Sequence, residues 1–329
     1  MKSMDMERKI RYGILGCGLF GTKTLLSAFK STKESELIAI TKREQAEAEF
    51  IAKQHSIPLY FSDNNRKEFL KQDLDAIYIS TPNVWHLRDT REVLEAGKHV
   101  ILEKPMAMNK EECLKIIDKE KETGLKVMIA QCMRFTPVLQ YFKDLIQSKK
   151  MGKLVSITAD FMSTGTDSKR KWKFSKEIAG GGAAFDLGVH MIDSIRYLAQ
   201  SEIEEVELIK YSHKESSNEI DLIASFVMRF KNDVIGRSTS SYFGPRITSL
   251  EIYCEKGYAR TYNWNLYPTN IEVFQLMDGK ESRIEIFNSD FYAIEIDEFS
   301  KSIKTNSPVP VSSTEGLKNQ KIIDLVNRQ

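Results

Sequence analysis

Three short segments of this sequence carry residue types whose spacing could do chemistry. Gly16-Cys17-Gly18-Leu19-Phe20-Gly21 is a G-x-G-x-x-G run between a β-rich stretch and a helical pattern. There the first glycine permits a tight turn, the second lets the backbone approach a pyrophosphate, and the third allows close helix–strand packing. The helix that begins at such a turn offers unpaired N–H groups and a partial positive charge to phosphate oxygens. About 20 residues further on, a fold that prefers NAD usually places an Asp or Glu on the ribose hydroxyls. Here the chain reads Thr41-Lys42-Arg43. A hydroxyl and two cations would bind a 2′-phosphate that a carboxylate would repel, so this end predicts preference for NADP(H).

The second segment, Glu103-Lys104-Pro105, sets a cation at the carboxyl end of an apolar run, where open parallel sheets bind their ligands. In the third, glycines at 180, 181 and 182 precede a helical pattern bearing Asp186, His190 and Asp193. Asp186 and His190 are four apart and project from one helix face, with Asp193 further along the same stripe. Leu187, Ile195 and Leu198 form the apolar stripe opposite. A histidine paired with a carboxylate behind a glycine run points to catalysis.

Taken in order, these motifs form a longer pattern. Ser80-Thr81-Pro82-Asn83, then His86, then Ala96-Gly97-Lys98-His99-Val100 lead into Glu103-Lys104-Pro105, and the second half carries Gly180-Gly181-Gly182 ahead of Asp186-Leu187-Gly188-Val189-His190. The whole closely resembles the Gfo/Idh/MocA oxidoreductases, named after glucose–fructose oxidoreductase and inositol dehydrogenase. The resemblance runs from Ile10 to the closing helices. It implies removal of a substrate hydroxyl proton as the neighbouring C–H leaves as hydride to a nicotinamide, or the reverse. Members of the family use the Lys of E-K-P with the Asp and His of D-x-G-x-H, which fall here on Lys104, Asp186 and His190. On that basis neutral His190 is the general base. Cationic Lys104 holds the substrate hydroxyl and stabilises developing alkoxide charge. Asp186 binds a neighbouring hydroxyl and orients the pair. Thr81, Asn83, His86 and Glu103, with Lys104, are expected on the nicotinamide side of the cofactor.

The implied reaction joins NADP, or alternatively NAD, to a secondary alcohol or ketone of a sugar, sugar derivative or cyclitol. Two other readings stay open: a redox-assisted glycosidase with tightly bound cofactor, and a non-catalytic NADP-binding regulator on the same fold. The chain departs from the family in its basic Lys42-Arg43 and in Trp172-Lys173, where W-R is common. Arg134, Lys169, Arg170 and Trp172 are candidate substrate contacts, the cations for an anionic group such as a sugar phosphate or uronate. No Cys/His spacing suggests a metal site.

The elements that must position these residues follow from periodicity. RYGILG (11–16), ELIAI (36–40), AIYIST (76–81), HVILEK (99–104) and LKVMIA (125–130) read as strands, separated by helical patterns, which argues for βαβ units and a parallel sheet. Beyond residue 131 a helix at 137–150 and another at 183–200 lead into consecutive β-rich runs joined by turns such as KND and EKG, the grammar of an antiparallel sheet. Two helical segments, 291–304 and 313–327, close the chain. The expected fold is α/β: an N-terminal Rossmann domain with a doubly wound parallel sheet, 1–130, then a C-terminal α+β domain, 131–329. Its open, mainly antiparallel sheet should carry the catalytic helix at one edge and serve substrate binding and oligomerisation, as a homodimer or homotetramer.

Composition bounds the rest. The 329 residues are 41% hydrophobic and 29% charged, which excludes a disordered or disulfide-stapled chain. The 48 Lys and Arg against 46 Asp and Glu leave +2, no global field for nucleic acid or membrane. No apolar run approaches the ~20 residues of a membrane span, and MKSMDMERK is too charged for a signal peptide. With Cys17, Cys113, Cys132 and Cys254 widely scattered, a reducing cytoplasm is expected.

Overall fold

A computed structural model of the chain describes residues 7–164, 168–212 and 220–328, apart from the side chains of 168–170. It divides into two compact units. In the first, strands and helices alternate: β1 (Ile10–Leu15), α1 (Leu26–Ser31), β2 (Ser35–Lys42), α2 (Gln45–His55), β3 (Leu59–Ser62), α3 (Arg66–Leu70), β4 (Ala76–Ile79), α4 (His86–Glu95), β5 (His99–Glu103), α5 (Lys110–Thr123) and β6 (Val127–Ala130). All six strands are parallel, in the order β3-β2-β1-β4-β5-β6, the Rossmann arrangement with its switch point between β1 and β4. Ile77, Tyr78 and Ile79 of β4 and Val100, Ile101 and Leu102 of β5 are all buried, as strands covered on both faces require. The short edge strand β3 is not predicted, because LYFS shows no alternation and is only partly buried.

The second unit holds α6 (Pro137–Ser148), β7 (Leu154–Met162), α7 (Lys176–Ala179), α8 (Val189–Ala199) and β8 (Ile203–Ser212), β9 (Asp221–Phe230), β10 (Ile235–Ser241), β11 (Ile247–Cys254), β12 (Gly257–Tyr262), β13 (Thr269–Met277) and β14 (Lys280–Asn288). Its eight strands form one sheet, β14-β13-β12-β11-β7-β10-β9-β8, antiparallel except for the β7–β10 pair. Helix α8 packs on β7 and β10 in the middle of this sheet, not at its edge as expected. Gly236 of β10 makes the approach possible: a Cβ there would lie 2.6 Å from Ile195 Cγ2. Nor does α8 have a polar stripe opposite an apolar one, for Val189 through Arg196 are all buried along with Leu198 and Ala199.

The last helices are α9 (Phe291–Thr305) and α10 (Ser313–Ile323). Residues Tyr292–Lys318 belong to the first unit, which corrects their assignment to a continuous second domain. Polar contacts that no sequence period reveals hold them there. Ser300 Oγ lies 2.8 Å from both Tyr12 Oη and Ser35 Oγ, Asp297 accepts the Lys33 and Glu34 N–H groups, and Ile129 N–H donates to Val311 O. Among the described residues no helix is long and apolar enough to cross a membrane. All four cysteines are free thiols.

His99 opens β5 with its Nδ1 accepting the Lys126 N–H at 3.0 Å, so the proton of the neutral ring sits on Nε2. Burial, with the Lys126 charge adding to it, pushes its pKa down to about 4 from an ordinary 6.5. The unfolded chain takes up this proton at higher pH than the folded one. Stability is therefore complete above pH ~6.5 and falls as pH drops towards 4. A His99→Gln variant should show a flatter Tm-against-pH curve over that window; an unchanged slope would assign the acid sensitivity elsewhere.

Candidate active site

In the first unit the carboxyl ends of β1, β2 and β4 converge on the glycine run. Gly16 has φ +84° and donates its N–H to Thr41 Oγ1 at 2.9 Å, while Ser80 Oγ donates to Gly16 O at 2.9 Å. A Cβ on Gly16 would lie 2.6 Å from Thr81 Cγ2, and one on Gly21 would lie 3.0 Å from Cys17 Sγ. These two glycines serve the protein's own packing. Gly18 differs: it is exposed, and a Cβ there would meet nothing nearer than Gly16 O at 3.9 Å. Its missing side chain keeps open a surface at the start of the helix that runs from Leu19, which fits a pyrophosphate seated on helix N–H groups. Cys17 is filler beneath the loop, its thiol pushed up to about 12 by burial. Leu19 is half-buried, and the Phe20 ring packs edge-on against Tyr292 at 5.7 Å.

At the end of β2 the three expected phosphate contacts separate. Thr41 is fully buried and its hydroxyl oxygen receives the Gly16 N–H, so it fixes the loop and does not reach a ligand; that expectation is corrected. Lys42 pairs with Glu47 at 3.2 Å, beside an open groove of about 370 Å³ lined by Ala46, Phe50 and Ile51. Arg43 is exposed.

Beyond β4, Thr81 Oγ1 donates to Asp89 Oδ2 at 2.7 Å. Asp89 is fully buried and also receives Arg66 Nη2 at 2.8 Å and Arg88 Nε at 2.9 Å, a carboxylate whose desolvation two guanidinium groups offset. Asn83 is nearly buried at the start of the turn before α4. His86 is fully buried, Nδ1 2.9 Å from Pro105 O and Nε2 2.9 Å from Thr81 O. The nitrogen that carries the proton donates to a carbonyl, and burial pushes the imidazole pKa down. His86 therefore sits fully buried between the loop after β4 and the residue after Lys104, not on the open surface expected of a cofactor contact. Glu103 accepts the Tyr78 hydroxyl at 2.7 Å, and half-buried Lys104 follows it at the carboxyl end of β5.

In the second unit Asp186 lies within a π-helical turn, Ala184–Gly188, that runs straight into α8. Lys173 Nζ is 2.5 Å from Asp186 Oδ1, and the Tyr242 hydroxyl donates to Asp186 Oδ2 at 3.4 Å. Phe174 packs against the Tyr242 ring at 5.5 Å. His190 follows on α8 and is 8% exposed. Neither Lys173 nor Tyr242 is predicted as a site residue. The signal available was a cation closely preceding the glycine run that leads to Asp186.

Arg134 is corrected from substrate contact to framework. Its guanidinium grips Asp193 through Nε and Nη2, both at 2.7 Å, and Asn319 Nδ2 donates to the same carboxylate at 2.7 Å. Arg196 in turn donates to Asn319 Oδ1 at 2.7 Å. Asp193 thus has a buried structural role and does not extend an acid–base stripe. Trp172 is half-buried on the 3₁₀ segment Ser168–Phe174, and the side chains of Lys169 and Arg170 lie outside the described residues. Among the described residues no group of three or more His, Cys, Asp or Glu could hold a metal ion.

Comparison with known proteins agrees with this architecture. Residues 10–131 match the oxidoreductase family with an NAD-binding Rossmann fold, and residues 139–260 match the GFO/IDH/MocA C-terminal domain. An oxidoreductase from Formosa agariphila is 30% identical over 229 residues, 65% of this chain and 70% of that protein. The D-xylose 1-dehydrogenase (NADP(+)) 2 of Haloferax volcanii is 25% identical over 96% of this chain and 95% of its own. The aldose-aldose oxidoreductase from Caulobacter crescentus, solved with glycerol, superposes with a TM-score of 0.90 at 25% identity, covering 98% of this chain and 97% of that one. The chain belongs to the Gfo/Idh/MocA family of oxidoreductases, enzymes with an NAD-binding Rossmann domain.

The contrast among the glycines is testable. Gly18→Ala meets neither a left-handed φ nor a neighbour, so its Tm should stay within about 2 °C of wild type, the shift of a few tenths of a kcal/mol. The added methyl should weaken dinucleotide binding by at least about tenfold, ~1.4 kcal/mol, by calorimetry. Unchanged affinity would remove the pyrophosphate from this surface.

Proposed function

We propose that the protein is an NADP-preferring dehydrogenase or reductase acting on a CH–OH group of a sugar, sugar derivative or cyclitol. The observation that carries the cofactor preference is that β2 ends at Lys42 with Arg43 directly after it, and no carboxylate stands at 41–43. Glu47 offsets the charge of Lys42, which leaves the exposed Arg43 guanidinium as the main partner of a 2′-phosphate. The helix N-terminus at Leu19 and the open surface over Gly18 suit the pyrophosphate.

When bound, the nicotinamide accepts or returns a hydride. The chain's own part is proton handling and orientation. His190 takes the hydroxyl proton at its ring nitrogen as the C–H bond breaks, and Lys104 donates hydrogen bonds to the developing alkoxide oxygen. Asp186 accepts a hydrogen bond from the adjacent hydroxyl. Lys173 occupies its other side and supplies a donor beside that acceptor, an arrangement suited to a hydroxyl that both gives and receives hydrogen bonds. With the Lys173 charge directed at Asp186, the reading favours an uncharged sugar or cyclitol over a phosphate or uronate.

Rates measured over D-glucose, D-xylose, inositols, sugar phosphates and uronates with each cofactor test this reading. NADP should exceed NAD in kcat/KM, and Arg43→Ala should cut that ratio about tenfold, ~1.4 kcal/mol. Lys42→Ala should cut it less. A clear preference for NAD would overturn the cofactor assignment. Lys104→Ala should lower kcat by at least ~10²-fold, the range for losing one stabilising donor; full activity would overturn the mechanism.

A further inference from the structure

We propose that Asp221 is a positioning residue for the reaction: from the start of β9 its carboxylate grips the glycine-to-helix segment that aims Asp186. The inference rests on the role given to Asp186 above. Asp221 is 3% exposed and so out of reach of any substrate. Its Oδ1 accepts the Gly182 N–H at 2.7 Å, and its Oδ2 accepts the Ala184 N–H at 2.7 Å. Both are charge-assisted bonds to the first amides of a helix, groups that otherwise lack partners and carry partial positive charge.

The grip leads directly to Asp186. Gly182, held through its N–H, accepts the Asp186 N–H through its own carbonyl at 3.0 Å. Ala184, held at the same time, is the first residue of the π-turn that contains Asp186. The strand also fixes the segment sterically, since a Cβ on Gly182 would come within 1.8 Å of Asp221 O. Only glycine allows a backbone so close to β9. Asp186 is thus placed from both sides: its carboxylate by Lys173 and Tyr242, its backbone by Gly182 and, behind that, Asp221.

Such an anchor costs a buried charge, which a loop without a geometric task would not need. Burial pushes the Asp221 carboxyl upward, and the Ala184 and Gly182 donors, with Lys210 on β8, offset part of that. Angular error in a hydrogen-bonding carboxylate reduces turnover more than ground-state binding, because correct orientation counts most in the transition state.

Asp221→Asn keeps the shape but turns an amide NH2 towards one of the two N–H groups. Asp221→Ser, which places no donor rigidly there, serves as the second variant should the first fold poorly. Hydrogen exchange followed by mass spectrometry should show faster exchange over 182–188 in either variant, with the strands unchanged. With NADP+ and whichever of D-xylose, D-glucose or myo-inositol the wild type oxidises, kcat should fall ~10–100-fold while KM for NADP+ stays within about twofold. In an Asp186→Asn background the same substitution should change kcat by less than about twofold, because an anchor acting through Asp186 has nothing left to aim. Unaltered exchange over 182–188, or an equal loss in both backgrounds, would overturn the proposal. Wild-type turnover by Asp186→Asn alone would overturn the role of Asp186, and exchange then separates that result from failure of the anchor.

Discussion

The crossing of backbones at Gly16 is the constraint on which the first unit's chemistry depends. Three strand ends meet there: Gly16 directly follows β1, Thr41 at the end of β2 takes its N–H, and Ser80 beyond β4 donates to its carbonyl. Thr81 stands where a Cβ would go. A residue forced to φ +84° and stripped of its side chain turns the chain sharply enough for a helix to start at Leu19, with its free N–H groups facing the switch point of the sheet. The next layer serves the same geometry. Asp89 draws Thr81, Arg66 and Arg88 together, and the buried His86 ring lies between the Thr81 and Pro105 carbonyls, its one N–H donated to one of them.

The second unit solves a similar problem by similar means. The segment that carries Asp186 also depends on a glycine where another backbone passes too close for a side chain, Gly182 against Asp221, and on buried polar groups satisfied in pairs. The Arg134–Asp193–Asn319–Arg196 set is the clearest case. Two cations, a carboxylate and an amide lie buried with bonds of 2.7 Å, holding α8 to the segment before α6 and to α10. Removing one partner would leave an uncompensated charge, so such sets hold a segment firmly even where their net stability is small. Against this stiff background Asp186 stands out with its Lys173 ion pair and Tyr242 hydroxyl, 18% exposed beside a buried helix.

What the sequence showed followed residue type. Glycines at 16, 18, 21 and 180–182 were legible because a glycine run before a helix has few physical explanations. The strands at 76–79 and 99–103 were legible because buried parallel strands are continuously apolar. What stayed hidden were the partners of polar side chains. Thr41, His86 and Arg134 read as ligand contacts by position, yet each is taken by a backbone or carboxylate far away in sequence. Lys173 passed as one cation in a run of them. The return of residues 292–318 to the first unit rests on Ser300 and Asp297, polar residues of an amphipathic helix whose neighbours only the fold supplies.

On the function proposed here, a hydride passes directly between a sugar carbon and the nicotinamide while Lys104, Asp186 and His190 manage the proton. The most direct measurement uses a uniformly deuterated aldose or cyclitol that the enzyme oxidises, with mass spectrometry of the reduced cofactor. One deuterium per cofactor, retained in light water, is the predicted result. Reduced cofactor carrying only solvent hydrogen, or sugar released without any deuterium in the cofactor, would contradict the account.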